Sequence, residues 1–336
     1  MNMMKNALTA AAACALVSGV SFGAQAQDDF TLQLKWVTQG QFAGYFVADE
    51  QGFYEEAGLN VTIQPGGPDI APPQVIAAGG ADAIVEWMPA ALAARERGVD
   101  LVNVAQIFDR SGMMLTCMAD SGISSPEDFP GHTLGVWFAG NEYPFLSWMA
   151  RLGFSFEGPD AEVTVLRQGF NVDPLLQGQA SCISTMIYNE YWQIIDAGIP
   201  EEDLVTFFYE DQGVATLEDG IYVLAENLED EEFVDKLSRF IAASLRGWEY
   251  AAENLDEAAQ TIVDRDPSGA ATFDVQRRQI ENVVGLITSE TPGYLDPEAF
   301  DQTVEVLLSG DSAPVITEDP GEAAWSHAAY DQMADD

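Results

Sequence analysis

Four groups of aromatic and polar residues sit where strands are predicted to end. Trp36 closes one strand and is followed by Gln41 and Phe42. Trp87 follows another, behind Glu86. Trp137 leads through Phe138, Gly140, Asn141 and Glu142 to Tyr143, and Tyr188-Asn189-Glu190 stands ahead of Tyr191-Trp192. Indole and phenol faces stack on a flat ring, at about 0.5–1.5 kcal/mol per aromatic pair beyond area burial. Asn189 can donate and accept at once, whereas an ionised Glu190 only accepts. A carboxylate aimed at a ring would read an exocyclic amino group. The competing readings are ordinary: a single Trp serves equally well in a core, and Glu190, Asn141 and Glu142 all stand where a helix begins and could satisfy its free amides and dipole.

Residues for other chemistry are missing. The chain has no GxGxxG after a strand, no phosphate-cradling GxxxxGK[ST], no HExxH and no nucleophile elbow. His132 and His327 lie in unrelated contexts, and after the leader only Cys117 and Cys182 remain. These cysteines, 65 positions apart without a spacing signature, read as unpaired core residues. No metal, cofactor or catalytic group is expected, although a carboxylate-only mechanism stays open. Pro65-Gly66-Gly67-Pro68-Asp69 could form an anion-holding nest. A plain turn is the simpler reading.

The elements that must position these groups alternate short β-rich runs with helical ones, the pattern of an α/β protein with parallel sheets. Strands are predicted at Phe30–Trp36, Leu59–Gln64, Ala81–Val85 and Val99–Phe108, with helices at Phe42–Glu56, Pro72–Ala78 and Pro89–Arg97. The rhythm then restarts, with strands at 113–118, 133–138, 163–167, 182–186 and 205–209 and helices at 143–152, 174–177 and 190–197. After a strand at 221–225 the chain turns helical, led by an amphipathic helix over 231–252 with Phe233, Leu237, Phe240, Ile241, Leu245 and Trp248 at three- and four-residue spacing. Two α/β units without a flexible linker imply two lobes joined by crossing strands over a cleft. In such sheets the loops beyond the strands' carboxyl ends line the ligand crevice.

Charge narrows the partners. Of 336 residues, 55 are Asp or Glu and 13 are Lys or Arg, a net charge of −42. Such a surface repels nucleic acid and anionic lipid. With 47% hydrophobic residues and 7 Trp the chain can still bury a large core, unlike a disordered one. The acids are spread along the chain, which reads as a solvated acidic coat before it reads as steering of cationic ligands.

The opening residues read as an export signal: Lys5 in a short n-region, an apolar stretch from Ala7 to Val20, and Ala24-Gln25-Ala26 as the small-x-small site, with cleavage after Ala26. Ala11-Ala12-Ala13 before Cys14 lacks the large aliphatic residue of a lipidation site. No apolar run is long enough to span a bilayer.

At this point the run Leu34-Lys35-Trp36-Val37-Thr38-Gln39-Gly40-Gln41-Phe42-Ala43-Gly44-Tyr45-Phe46-Val47-Ala48, then Gln51-Gly52-Phe53-Tyr54-Glu55-Glu56-Ala57-Gly58-Leu59, resembles the opening of exported solute-binding proteins of ABC transporters, in the group similar to thiamine-pyrimidine precursor synthases. Pro65-Gly66-Gly67-Pro68-Asp69-Ile70, the segment Asp128 to Trp137, and Met186-Ile187-Tyr188-Asn189-Glu190-Tyr191 follow in the same order. The likeness covers roughly residues 30–250. It implies a two-lobed periplasmic-binding-protein fold of type II, each lobe a mostly parallel sheet flanked by helices, with two hinge crossings. Lobe 1 would comprise 27–117 and 213–336, and lobe 2 118–212. The resemblance further implies a periplasmic monomer that delivers a small molecule to an ABC permease at the inner membrane. In relatives that take a formylated aminopyrimidine, aromatics stack on the ring and a carboxylate meets its amino group; Trp36, Trp137, Tyr188 and Glu190 would carry those roles. The related synthases have a cysteine-rich cluster that this chain lacks.

The expected ligand site is therefore Trp36, Gln41, Phe42, Trp87, Trp137, Gly140, Asn141, Tyr188, Asn189 and Glu190, around an aminopyrimidine or similar flat heterocycle. The alternatives are riboflavin or another flavin-like ring, an anionic solute such as a sulfonate, taurine or nitrate, and a pyrimidine-processing enzyme. Carboxylates and tryptophans without an evident cation in the cleft argue against the anions.

Overall fold

The computed structural model describes residues 27–138, 140–309 and 314–335; the expected leader, residues 1–26, lies outside them. β1 (Asp28–Gln33) alternates apolar and polar residues and pairs in parallel with β2 (Leu59–Gln64) from Asp28↔Leu59 to Gln33↔Gln64. With β3 (Ala83–Glu86), β4 (Leu101–Gln106) and β10 (Gly220–Leu224) they form a five-stranded sheet in the order β2-β1-β3-β10-β4. A second sheet has the order β7-β6-β8-β5-β9, from β5 (Met113–Met118), β6 (Thr133–Val136), β7 (Thr164–Arg167), β8 (Cys182–Met186) and β9 (Leu204–Phe208).

Both sheets are mixed, and for one topological reason. β10 runs antiparallel to both β3 and β4, and β5 runs antiparallel to both β8 and β9. Each is the first strand laid down after the chain changes sheets, so each enters against the local direction while the other four strands agree. The expected α/β two-lobed architecture holds, with one reversed strand per sheet. The sheet changes fall at 107–112 and 209–219. The expected lobe boundary after Cys117 thus falls inside β5, which belongs wholly to the second sheet.

The two cysteines are bonded. Cys117 and Cys182 are register partners across the β5–β8 pair and form a disulfide, their Cα atoms 3.9 Å apart. This overturns the expectation of free core thiols. Nothing in a separation of 65 residues announces it, because only the antiparallel pairing brings the two positions face to face.

The predicted helix Phe42–Glu56 is broken into Ala43–Glu50 and Phe53–Glu56. Between them Gly52 adopts φ 75°, a left-handed conformation that suits glycine and ends a helix. The helix Glu231–Glu253, capped by the Asp230 side chain on the Glu232 amide at 3.0 Å, packs against Ala43–Glu50. A Cβ on Gly247 would run into the Gly44 carbonyl, so that crossing depends on two glycines. Nearby, Phe240 lies between the rings of Phe30 at 4.3 Å and Tyr54 at 5.5 Å. This core anchors β1, whose far end leads to Lys35 and Trp36.

Candidate functional site

A cavity of about 660 Å³ opens between the lobes. Lobe 1 lines it with the loop after β1, the Pro-Gly segment after β2 and the start of the helix Met88–Glu96; lobe 2 contributes the loops after β6, β7 and β8. Of the ten expected residues, Trp36, Gln41, Trp87, Trp137, Gly140, Asn141, Tyr188, Asn189 and Glu190 line it. Phe42 does not: it is fully buried in the core at the foot of the helix Ala43–Glu50. Its neighbour Gln41 faces the cavity instead. Tyr191 and Trp192 also stay outside it. The indole of Trp192 stacks under Arg278, whose guanidinium lies 4.9 Å from the ring and is paired with Asp196, joining the helix Phe273–Val284 to lobe 2.

The walls are aromatic and held in place by hydrogen bonds. Trp87, 4% exposed, donates its indole N–H to Asp219 Oδ1 at 2.7 Å. Gln41 Nε2 donates to Asp219 Oδ2 at 2.8 Å, and its Oε1 accepts from Gln39. Trp137 Nε1 donates to the Gly169 carbonyl at 3.2 Å. Trp36 meets Phe170 of the opposite lobe, ring centroids 4.6 Å apart. Gly140, at φ 101°, lies so close to Ala90 that an added Cβ would stand 2.9 Å from the Ala90 Cβ, so the lobes touch here.

The carboxylates occupy distinct positions. Glu190 begins the helix Glu190–Asp196; its Oε2 accepts from the Met186 amide at 3.1 Å and its Oε1 from Asn189 Nδ2 at 2.8 Å. It therefore does satisfy local backbone, yet it also faces the cavity. Burial pushes its pKa up to about 7, against the opposing pull of its own amide, the Met186 amide and the Asn189 side chain. Glu142, also raised by burial, accepts from the Gly140 amide at 2.7 Å.

Asp219 and Glu218 lie behind the walls, on the second crossing. Glu218 Oε1 accepts from Ser111 Oγ at 2.7 Å and the Gly112 amide at 3.0 Å, both on the first crossing, while Gln106 Nε2 donates to the Glu218 carbonyl at 2.7 Å. One side chain thus ties the two crossings together. Burial raises Asp219 to about 6 and Glu218 to about 8, the neighbouring carboxylate adding to the rise for Glu218.

Several cavity residues escaped the sequence reading. Lys35 lines the wall with its ammonium 3.5 Å from the Trp87 ring centroid, 3.5 Å from Glu86 Oε1 and 3.3 Å from Asn141 Oδ1. The cleft is not free of cations after all. Burial lowers the Lys35 pKa and raises that of Glu86, so desolvation outweighs their attraction in both. Strand alternation sets Lys35 and Trp36 on opposite faces, so no local pattern announces that both line one cavity. Phe170 also lines the cavity, together with Gly67, Pro68 and Asp69 of the Pro-Gly segment that the sequence reads as a turn or an anion-holding nest. Glu218 and Asp219 carried no pattern, because their importance comes only from the adjacency of the two crossings. Among the described residues no cluster of His, Cys, Asp and Glu could hold a metal, and no helix is long and apolar enough to cross a membrane.

Known proteins resemble this chain in sequence and in fold. The chain is 25% identical over 305 residues to the formylaminopyrimidine-binding protein of Halalkalibacterium halodurans, covering 88% of this chain and 90% of the relative. It is 23% identical over 301 residues to the riboflavin-binding protein RibY of Chloroflexus aurantiacus, covering 85% and 82%. In fold it is similar to the periplasmic aliphatic sulphonate binding protein SsuA from Escherichia coli, with a TM-score of 0.62, 14% identity, and 83% and 85% of the two chains covered. Residues 39–258, from the first cavity loop to the helices behind the cleft, match the family described as NMT1/THI5 like, and the chain belongs to that family.

Proposed function

We propose that this chain is the extracytoplasmic solute-binding component of an ABC importer and that its lobes close on a neutral, flat nitrogen heterocycle of the aminopyrimidine type. The observation that carries the reading is the placement of Trp36, Trp87, Trp137, Tyr188 and Glu190 around one cavity between two hinged sheets. Stacking faces supply area, and Glu190 supplies an acceptor for an amino group. The relative named for formylaminopyrimidine supports the same ligand class. Asp69, Glu86, Glu142 and Glu190 on the wall against Lys35 and Arg97, within a chain of net charge −42, disfavour an anionic ligand. Export is supported by the Cys117–Cys182 disulfide, which suits an oxidising compartment, and by the leader-like residues 1–26. The permease at the inner membrane is the partner such a role requires.

A flavin-type ligand is the second reading. It is favoured by the reach of the cavity past the aromatic slot, between Pro72, Gln74, Ala94 and Arg97, which a single pyrimidine ring would leave unfilled. Mass spectrometry of small molecules released from natively purified protein separates the two readings. A formylated aminopyrimidine recovered intact is the expected result. Recovery of riboflavin would replace it, and chemical conversion of an added pyrimidine would replace binding with catalysis.

A further inference from the structure

Lys35 stands at the seam of the cleft in an unusual state for a largely buried ammonium. Its side chain is 11% exposed. An ammonium has three donors and no acceptor, and a tight charge-assisted bond measures about 2.7–2.9 Å. Its two oxygen neighbours are farther away, Glu86 Oε1 at 3.5 Å and Asn141 Oδ1 at 3.3 Å. Glu86 cannot swing closer without cost, because the same oxygen accepts the Trp87 amide at 2.9 Å. Asn141 is also held, its Nδ2 donating to the Phe138 carbonyl at 2.9 Å. The Trp87 face, 3.5 Å away, takes the remaining side. The ammonium is thus fixed by three partners, each on a different element, and none completes its hydrogen bonding.

Glu86 belongs to β3 and Trp87 to the start of the following helix, both in lobe 1, whereas Asn141 belongs to lobe 2. A ligand atom that bonds Lys35 would therefore sit where the lobes meet. We propose that Lys35 is a specificity-determining residue that donates to a carbonyl oxygen of the ligand, so that the site reads a ring with a donor edge toward Glu190 and a carbonyl toward Lys35. A neutral carbonyl fits better than an anion here, because Glu86, Glu142 and Glu190 line the same cavity. The formyl oxygen of a formylated aminopyrimidine is a carbonyl of this kind, and the new element is its recognition by Lys35. This rests on the function proposed above.

The test is a cycle between the side chain and the ligand carbonyl, read by calorimetry. The probes are N-formyl-5-aminomethyl-4-amino-2-methylpyrimidine and 4-amino-2,5-dimethylpyrimidine, the latter with the same ring and no carbonyl. The unaltered protein should prefer the formyl probe, and Lys35→Met should weaken that probe by about 10- to 100-fold while changing the dimethyl probe less than about 3-fold. Lys35→Arg, which keeps donors, should retain most of the preference. Because the readout is a ratio within one variant, partial misfolding lowers both affinities and leaves it unchanged. Lys35→Leu, equally without a donor and judged by the same ratio, is the second variant should Lys35→Met fail to fold. Equal losses for both probes, or no preference in the unaltered protein, would overturn the assignment to Lys35 and leave the ligand class standing. Binding of neither probe would overturn the pyrimidine reading. Lys35 is then judged on riboflavin, which carries ring carbonyls: a loss of 10-fold or more in Lys35→Met supports the carbonyl role, and unchanged affinity refutes it.

Discussion

The indole N–H of Trp87 donates to Asp219 across 2.7 Å, which couples a ring in the cavity wall to the second of the two crossings between the lobes. Gln41, on the same wall, uses the other oxygen of that carboxylate. Whatever stacks on Trp87 is therefore mechanically connected to the segment about which the lobes hinge. Trp87→Phe keeps an aromatic face, deletes the donor and removes the pyrrole half of the indole. It should lower unfolding stability by about 1–3 kcal/mol, the cost of stripping one partner from a buried carboxylate. Urea unfolding of the unliganded protein measures this, and an unchanged midpoint would disconnect the ring from the hinge.

Glu190 should make binding depend on pH. Its pKa in the unliganded protein is about 7, because burial disfavours the ionised form. The ionised form is the one that accepts from an amino group, so affinity should be full above pH 7 and decline as pH falls through that value. Glu190→Gln should bind about 1–3 kcal/mol more weakly at pH 8 and lose the part of the pH dependence that belongs to the carboxylate. Calorimetry from pH 5.5 to 8.5 on both proteins distinguishes this from a carboxylate that serves only its own helix, for which the two profiles would coincide.

Glu218 has the opposite sign, acting on stability instead of binding. Its folded pKa, about 8, lies above the 4.5 of an exposed glutamate. The folded state therefore holds a proton that the unfolded chain releases. This contribution is complete below about pH 4.5 and is lost as pH rises toward 8. Glu218→Gln cannot titrate, so its melting temperature relative to the parent should climb from pH 5 to 8 and level off above. A constant difference across that range would contradict the assignment.

The disulfide staples β5 to β8 within lobe 2. Replacing Cys117 and Cys182 together by alanine should cost about 2–5 kcal/mol. Thermal unfolding should show the loss, and a reducing agent should give the unaltered protein a similarly lowered midpoint once the bond is opened.

Much of this architecture was readable from residue patterns. Strand and helix alternation placed nearly every element, because each buries a face whose period shows in the sequence, as Phe233 to Trp248 do for the long helix. The cavity aromatics were legible for a related reason: they stand beyond strand ends, outside the periodic stretches that a core would explain. Phe42 was misjudged because a helix start and a crevice wall carry the same residue types, and the following turn decides which way each side chain points. Lys35 was overlooked since a lone lysine in so acidic a chain reads as solvated, and only its enclosure by Glu86, Trp87 and Asn141 gives it another role. The disulfide, the reversed strands and the Glu218 tie between the crossings depend on contacts distant in sequence, which no local pattern encodes.

Intrinsic tryptophan fluorescence, titrated with the formylated aminopyrimidine, probes the stacking slot most directly, because Trp36, Trp87 and Trp137 all line it. The account predicts saturable quenching at one molecule per chain with a dissociation constant below about 10 μM, reduced at least tenfold in affinity by Trp137→Ala. A spectrum that stays unchanged through millimolar ligand, and equally unchanged with riboflavin, would contradict it.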